Sequence, residues 1–253
     1  MKITFLGTGT SQGVPVIACN CKVCKSTDPR NKRTRTSIKI EIKDKTFVID
    51  TGPDFRYQML KSNTQKLDAV LFTHEHKDHI AGLDDVRAFN YQTGLPMDIY
   101  ATQRVQDAIK RDFYYVFSGE GYPGIPELKL HTISNQPFSI DGIHFTPIEV
   151  LHYKLPVLGF RFEDVTYITD AKKIPNNEIE KIKGSRILIL NALRKEKHIS
   201  HLTLSEALEL AEEIKPEKTY LTHISHLMGM HNEVENELPE NIFLSFDNLE
   251  IET

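Results

Sequence analysis

No apolar run in the 253 residues approaches the length of a membrane span, and the opening MKITFLGTGT lacks the long apolar core of a signal peptide. Excess charge of either sign is missing as well. Lys plus Arg number 31 against 35 Asp plus Glu, a formal net charge of -4, which exerts no general pull on nucleic acid or an anionic membrane. Cysteine is scarce, and its three copies stand together in CNCKVC as Cys19, Cys21 and Cys24. An odd number so closely spaced cannot form an ordinary disulfide framework. No repeat, low-complexity tract or Pro/Ser-rich linker divides the chain. These absences lead to the expectation of one cytoplasmic domain spanning residues 1–253, with no membrane and no nucleic acid among its partners and homodimerisation left open. The remaining composition, 40% hydrophobic and 26% charged, is that of a globular protein able to bury a full core.

Three thiols within six residues are better explained by a metal than by an incidental loop. A denser group stands in FTHEHKDHIAGL, where His74, His76, Asp78 and His79 occupy six residues. The group falls where the apolar strand LDAVLFTH ends and a helix begins. In an extended segment, residues two apart point the same way, so His74 and His76 can reach one ion together. Asp78 and His79 are adjacent and can serve a second ion. Imidazole with carboxylate suits Zn, Mn or Fe and not an all-oxygen calcium cage. One cluster cannot fill two coordination shells. The further candidates, His152, Asp170 and His223, each end an apolar strand, in FTPIEVLHY, VTYITD and KTYLTH. Donors at strand ends are expected to gather at one rim, where loops shape a site on a rigid scaffold.

Strand-like runs open the chain (KITFLGTGT, SIKIEI, KTFVIDTG), followed by the helix PDFRYQMLKSN with Pro53 at its first turn. AGLDDVRAFNYQ and TQRVQDAIKRDFYYVF read as helices. A β-rich middle, FSIDGIHFTPIEVLHY and LGFRFEDVTYITD, leads into NNEIEKIK (helix), RILILNAL (strand), LTLSEALELAEEIK (helix) and KTYLTHIS (strand). A short helix and NIFLSFDNLEIE close the chain. Two mixed β blocks, each followed by helices, imply an α/β (α+β) fold with two sheets inside and helices outside, a four-layer αββα sandwich.

The ordered set THEHKDH, His152, Asp170 and His223 resembles the H-x-H-x-D-H pattern of the metallo-β-lactamase superfamily, over nearly the whole chain. The resemblance implies the αββα fold and a dinuclear site of two divalent ions, Mn or Zn. His74, His76 and His152 would hold one ion, Asp78, His79 and His223 the other, and Asp170 would bridge them. FLGTGTSQGVP resembles the phosphodiesterase branch, and CNCKVC resembles the zinc loop of PhnP-type phosphodiesterases, which hydrolyse phosphoribosyl 1,2-cyclic phosphate. That likeness implies a separate structural Zn held by Cys19, Cys21, Cys24 and, from THISHLMGMH, His226. Asn191 stands where the family would place an acidic residue.

The implied activity is hydrolysis of a small cyclic or nucleotide-like phosphodiester. Two ions about 3.5–4 Å apart can activate a shared hydroxide for in-line attack on phosphorus. Asp78 is assigned to catalysis as well as to metal binding. His201, at the start of a helix in HISHLTLSEAL, resembles the phosphate-contacting histidine of the branch and is read as a phosphate-binding or general-acid residue. Asp50 is expected to orient a ligand imidazole, and Asp84 or Asp85 could do the same. Gly7, Gly9 and Gly13 allow tight turns but form no dinucleotide fingerprint. His131, His144, His198 and His231 have no partner spacing. The aromatic and glycine-rich stretch within 111–128 could serve as a lid or simply pack. A tRNA 3′-processing endonuclease would need a basic grip on phosphates that this chain lacks. A non-catalytic, zinc-stabilised binding protein is opposed by the complete set of seven catalytic donors, and lactamase or glyoxalase chemistry would leave the cysteine loop unexplained.

Overall fold

The computed structural model describes residues 1–119 and 123–253. The chain forms two compact units. The first comprises Met1–Gly7, Arg35–Ser134 and Asn248–Thr253, and the second Thr8–Thr34 and Asn135–Asp247.

The sheet of the first unit has the order β14-β1-β2-β3-β4-β5-β6 among the described residues. Its strands are β1 (Lys2–Gly7), β2 (Ser37–Ile42), β3 (Lys45–Ile49), β4 (Ala69–Leu71), β5 (Met97–Ala101), β6 (Leu128–Thr132) and β14 (Glu250–Glu252). Pairing is antiparallel from β14 to β3 and parallel from β3 to β6. Lys43 and Asp44, both with φ near +50°, turn β2 into β3. Val48, Val70 and Ile99, in register on one face, pack with Phe55, Met59, Val86, Phe89, Val105 and Ile109 from the helices Phe55–Lys61, Arg87–Thr93 and Gln103–Asp112 and the turn before the second of them. The opposite face is buried too, at Ile38, Ile40, Phe47, Ile49 and Leu71. Two-sided burial of β3 and β4 explains why KTFVI and AVL read as continuous apolar runs rather than alternating ones.

The second unit repeats the plan. Strands β7 (Phe138–Ile140), β8 (Ile143–His152), β9 (Leu155–Phe162) and β10 (Val165–Ile168) are antiparallel; β10, β11 (Ile187–Asn191), β12 (Lys218–Thr222) and β13 (Ile242–Leu244) are parallel. Leu188, Leu190 and Leu221 pack with Ile179 and Ile182 of helix Asn176–Ile182 and with Ala207 and Ala211 of helix Leu204–Ile214. The latter helix starts with a capping box. Thr203 Oγ1 accepts from the Glu206 amide, and the Glu206 carboxylate accepts from the Thr203 amide.

The two mixed sheets with their helices are the expected α+β class, but several elements differ from the sequence reading. Strands β5 and β6 are additions. In β5 the half-exposed Asp98 and Tyr100 break the apolar run, and β6 is a partly exposed sheet edge, so neither carries a buried-strand signature. AGLDDVRAFNYQ opens as a 3-10 turn, Leu83–Val86, before the α-helix and ends at Gly94 in the left-handed region (φ 68°). TQRVQDAIKRDFYYVF breaks at Phe113 into Gln103–Asp112 and Tyr114–Phe117. The helix expected in PDFRYQMLKSN starts at Phe55, leaving Pro53 outside it. Finally, β14 joins the sheet of the opening residues, pairing with β1. Among the described residues no helix is long and apolar enough to cross a membrane.

Candidate metal centre

In the first unit the donors are organised by one carboxylate. Asp50 lies just past β3, fully buried, with a left-handed backbone (φ 66°) that a non-glycine residue adopts at a cost of order 1–3 kcal/mol. Its Oδ1 accepts from the Thr73 amide (2.9 Å), and its Oδ2 accepts from Thr73 Oγ1 (2.8 Å) and faces His79 Nδ1 at 2.7 Å. Burial pushes the Asp50 carboxyl up, while His79 and Thr73 pull it back toward the charged form. A carboxylate here requires the His79 proton on Nδ1 and leaves the lone pair on Nε2. Because the Thr73 hydroxyl spends its proton on Asp50, it accepts from His74 Nδ1 (3.0 Å), and the His74 lone pair also lies on Nε2. Both tautomers therefore follow from Asp50, the orienting role expected for it.

The donor pairs have metal-like spacing. His74 Nε2 and His76 Nδ1 stand 3.0 Å apart, near the roughly 3.3 Å between two imidazole nitrogens on a tetrahedral zinc. Asp78 Oδ2 lies 3.2 Å from His79 Nε2. Two glycines that the sequence reading passed over make this possible. A Cβ on Gly52 would lie 2.2 Å from the Asp78 carbonyl oxygen, and one on Gly82 would lie 2.1 Å from that of Gly52. The Thr51 amide donates to the His79 carbonyl (2.7 Å) and the Gly82 amide to the Thr51 carbonyl (2.8 Å), locking the donor loop onto the turn after β3.

The second unit gathers another set. His152 ends β8 and donates from Nδ1 to the Ser200 carbonyl (2.8 Å), placing its lone pair on Nε2. Asp170 and His223, just past β10 and β12, both have left-handed backbones (φ 58° and 56°), and Asp170 Oδ1 lies 3.2 Å from His223 Nε2. Asn191 accounts for its departure from the family pattern: its Oδ1 accepts from the Ala171 amide (2.8 Å) and its Nδ2 donates to the Ala171 carbonyl (2.9 Å). An acidic side chain could not make the second bond, so the amide clamps the residue next to Asp170. His201 is buried, stacked on His223 at 4.7 Å and 4.5 Å from the His152 ring, with Nδ1 lacking a hydrogen-bond partner among the described residues. Burial first, then the neighbouring His223, pushes His201 down to about 2. Its imidazole is neutral here, a state suited to donating a hydrogen bond to an anion rather than acting as an acid.

The cysteine loop is also complete within the second unit. The sulfurs of Cys19, Cys21 and Cys24 lie 3.3, 3.4 and 3.5 Å from His226 Nδ1. Zinc with ordinary bond lengths in a tetrahedron would set sulfur and nitrogen about 3.6 Å apart, so three thiolates and one imidazole fit a closed structural site. The amide of Cys24 donates to Cys21 Sγ and that of Val16 to Cys24 Sγ, the bonds a thiolate needs. The Cys24 amide pulls the Cys21 thiol down to about 6, whereas burial pushes Cys24 up to about 11. A cation would be needed to hold Cys24 as thiolate.

Other candidates have structural partners. His131 binds Asp98 (2.6 Å) and stacks on Tyr100, His144 faces Ser139, and His231 lies between Arg33 and Glu235. Asp84 accepts from the Tyr115 hydroxyl and pairs with Arg87 (3.0 Å), which ties the turn Tyr114–Phe117 to the helix region instead of orienting an imidazole. Asp85 is half-buried on the same turn as Asp84. Residues 120–122 of the 111–128 segment lie outside the described residues.

Residues 45–224 match the family described as the Beta-lactamase superfamily domain. The chain belongs to the metallo-β-lactamase superfamily. It is similar over its entire length to a solved diphosphatase of the PhnP family, with a TM-score of 0.93, 38% identity and 97% of that chain covered. An octanoyltransferase of Porphyromonas gingivalis is 41% identical over 254 residues, 99% of this chain and 51% of the relative. A ribonuclease Z of an Exiguobacterium species is 25% identical over 167 residues, covering 64% of this chain and 49% of the relative. The chain thus spans about half the length of these two curated relatives. The fold and the family likeness point to the PhnP type within the superfamily, and divalent ions such as zinc suit its donors.

Proposed function

We propose that the chain is a metal-dependent phosphodiesterase acting on a small cyclic or nucleotide-like phosphodiester, of the phosphoribosyl 1,2-cyclic phosphate type. The observation that carries this reading is the whole-chain likeness to a PhnP-family enzyme together with the Cys3His cluster. Under it, His74, His76 and His152 would hold one ion, Asp78, His79 and His223 a second, with Asp170 serving both, and Cys19, Cys21, Cys24 and His226 would hold a structural zinc. When bound, two divalent ions lower the pKa of water and neutralise charge on phosphoryl oxygens. Asp50 and Thr73 keep the His79 and His74 lone pairs on Nε2, the Ser200 carbonyl does the same for His152, and neutral His201 offers a hydrogen bond to a phosphoryl oxygen.

A second reading, hydrolysis of a diphosphate linkage, is favoured by the same solved neighbour, which is described as a diphosphatase. The balanced charge of -4 argues for a small substrate over tRNA, and a cytoplasmic location suits either reading. The test is a panel of a 1,2-cyclic phosphate, a nucleoside diphosphate, precursor tRNA, a β-lactam and an octanoyl thioester, each with added Mn or Zn. Turnover of the cyclic phosphate, abolished in His76→Ala and Asp78→Ala with circular dichroism unchanged, is expected. Preference for the diphosphate selects the second reading. Efficient tRNA cleavage, or activity that survives both substitutions, overturns the proposal.

A further inference from the structure

His198 is one of the histidines without sequence partners, and the fold brings it beside His201, ring centroids 5.1 Å apart. Its Nδ1 accepts from the Ser200 amide at 3.3 Å, with the Ser200 hydroxyl at the same distance. The carbonyl of that same Ser200 accepts from His152 Nδ1 at 2.8 Å. One residue thus has its N–H held by His198 and its C=O holding His152. The turn that presents His198 is itself braced. Arg194 Nη2 donates to the Lys197 carbonyl (2.9 Å), its Nε donates to that of Glu196 (3.3 Å), and its own carbonyl accepts from the Leu204 amide (2.9 Å).

From this relay we infer that His198 is a positioning residue for His152: it fixes Ser200, and Ser200 fixes the ring orientation and tautomer with which His152 faces an ion. The inference rests on the reading of His152 as a metal ligand. Carbonyls and carboxylates that hold the second nitrogen of a ligating imidazole are worth about 10–100-fold in metal affinity, and a group that holds such a carbonyl in place acts on the same quantity. The relay uses Nδ1 alone. The other nitrogen, Nε2, carries the proton, so the two nitrogens of His198 predict different rescue patterns.

The experiment is metal binding by chelator competition, with the cobalt absorption spectrum as a second readout, on the full chain as wild type, His198→Ala, His198→Asn, His198→Gln and His152→Ala. No substrate enters the measurement. His198→Ala should weaken one ion by about 10-fold or more and shift its cobalt bands. His198→Asn, whose Oδ1 replaces Nδ1 as the acceptor for the Ser200 amide, should recover most of that loss; His198→Gln, which extends toward the Nε2 position, should not. Unchanged affinity in His198→Ala, or rescue by Gln and not Asn, overturns the relay, the latter pointing to direct contact with substrate through Nε2. If His152→Ala keeps full affinity, the ligand reading fails instead, and the inference fails with it. Should His198→Ala unfold, the Asn and Gln pair still decides.

Discussion

Replacing Asp50 with asparagine should switch two histidine tautomers at once. In the native protein Oδ1 of Asp50 accepts from the Thr73 amide, and the amide oxygen of an asparagine side chain can keep that bond. The amide nitrogen would occupy the place of Oδ2, which now accepts from Thr73 Oγ1 and faces His79 Nδ1. As a donor it makes both of those atoms acceptors. His79 must then carry its proton on Nε2, and the Thr73 hydroxyl turns its proton toward His74 Nδ1, which moves the His74 proton to Nε2 as well. Both metal-facing lone pairs are lost unless the rings turn. His74 and His79 serve different ions in the proposed site, so at about 1.4 kcal/mol per factor of ten each ion should bind about 10–100-fold more weakly, about 1.4–3 kcal/mol apiece. Stability of the metal-free protein should move the other way or not at all, since burial already disfavours the charged form of Asp50. Chelator competition for zinc and thermal unfolding of the metal-free protein, measured side by side, test this. Native metal affinity in Asp50→Asn, or a drop in metal-free stability as large as the loss of affinity, would refute the tautomer argument.

Cys21→Ser should lower zinc content by one ion per chain and lower the unfolding temperature, because metal binding at such a site is folding free energy; a full metal complement at an unchanged unfolding temperature would exclude the structural zinc. Asn191→Asp loses the donor to the Ala171 carbonyl and should cost about 1–3 kcal/mol, read as a lower urea midpoint; an unshifted midpoint contradicts the clamp. His231 is pushed down to about 4 by burial, then by Arg33 and Arg30. A histidine held below its unfolded value contributes stability that is complete above about pH 6.5 and is lost as pH falls toward 4, about 3 kcal/mol in all. Urea unfolding at pH 7.5 and 4.5 should therefore show a smaller acid loss in His231→Gln than in wild type, and equal losses would show that another group is responsible.

The donor types and their local arrangement were legible in the sequence. HEHKDH sets two imidazoles two residues apart in extended chain and an aspartate next to a histidine, and both pairs meet because such spacing acts through neighbouring peptide geometry alone. The apolar strands ending in His152, Asp170 and His223 and the knot of cysteines were visible for the same reason. Asp50 and His226 were named as candidates from the sequence, but which imidazole Asp50 holds, through which atom, and what Asn191 clamps were not visible. Asp50 reaches His79 across 29 positions, Asn191 clamps Ala171 across 20, and His226 meets Cys19 of the thiol loop across 207. Gly52 and Gly82 matter only because two backbone segments pass within contact distance. Strand β6 gave no signal because a half-exposed edge needs no apolar pattern, and the three residues of β14 take their place from β1, at the other end of the chain. Periodicity and side-chain type are written residue by residue. Partnership across long separations is decided only when burial removes water and every enclosed N–H, carbonyl and carboxylate must find its hydrogen bond within the protein.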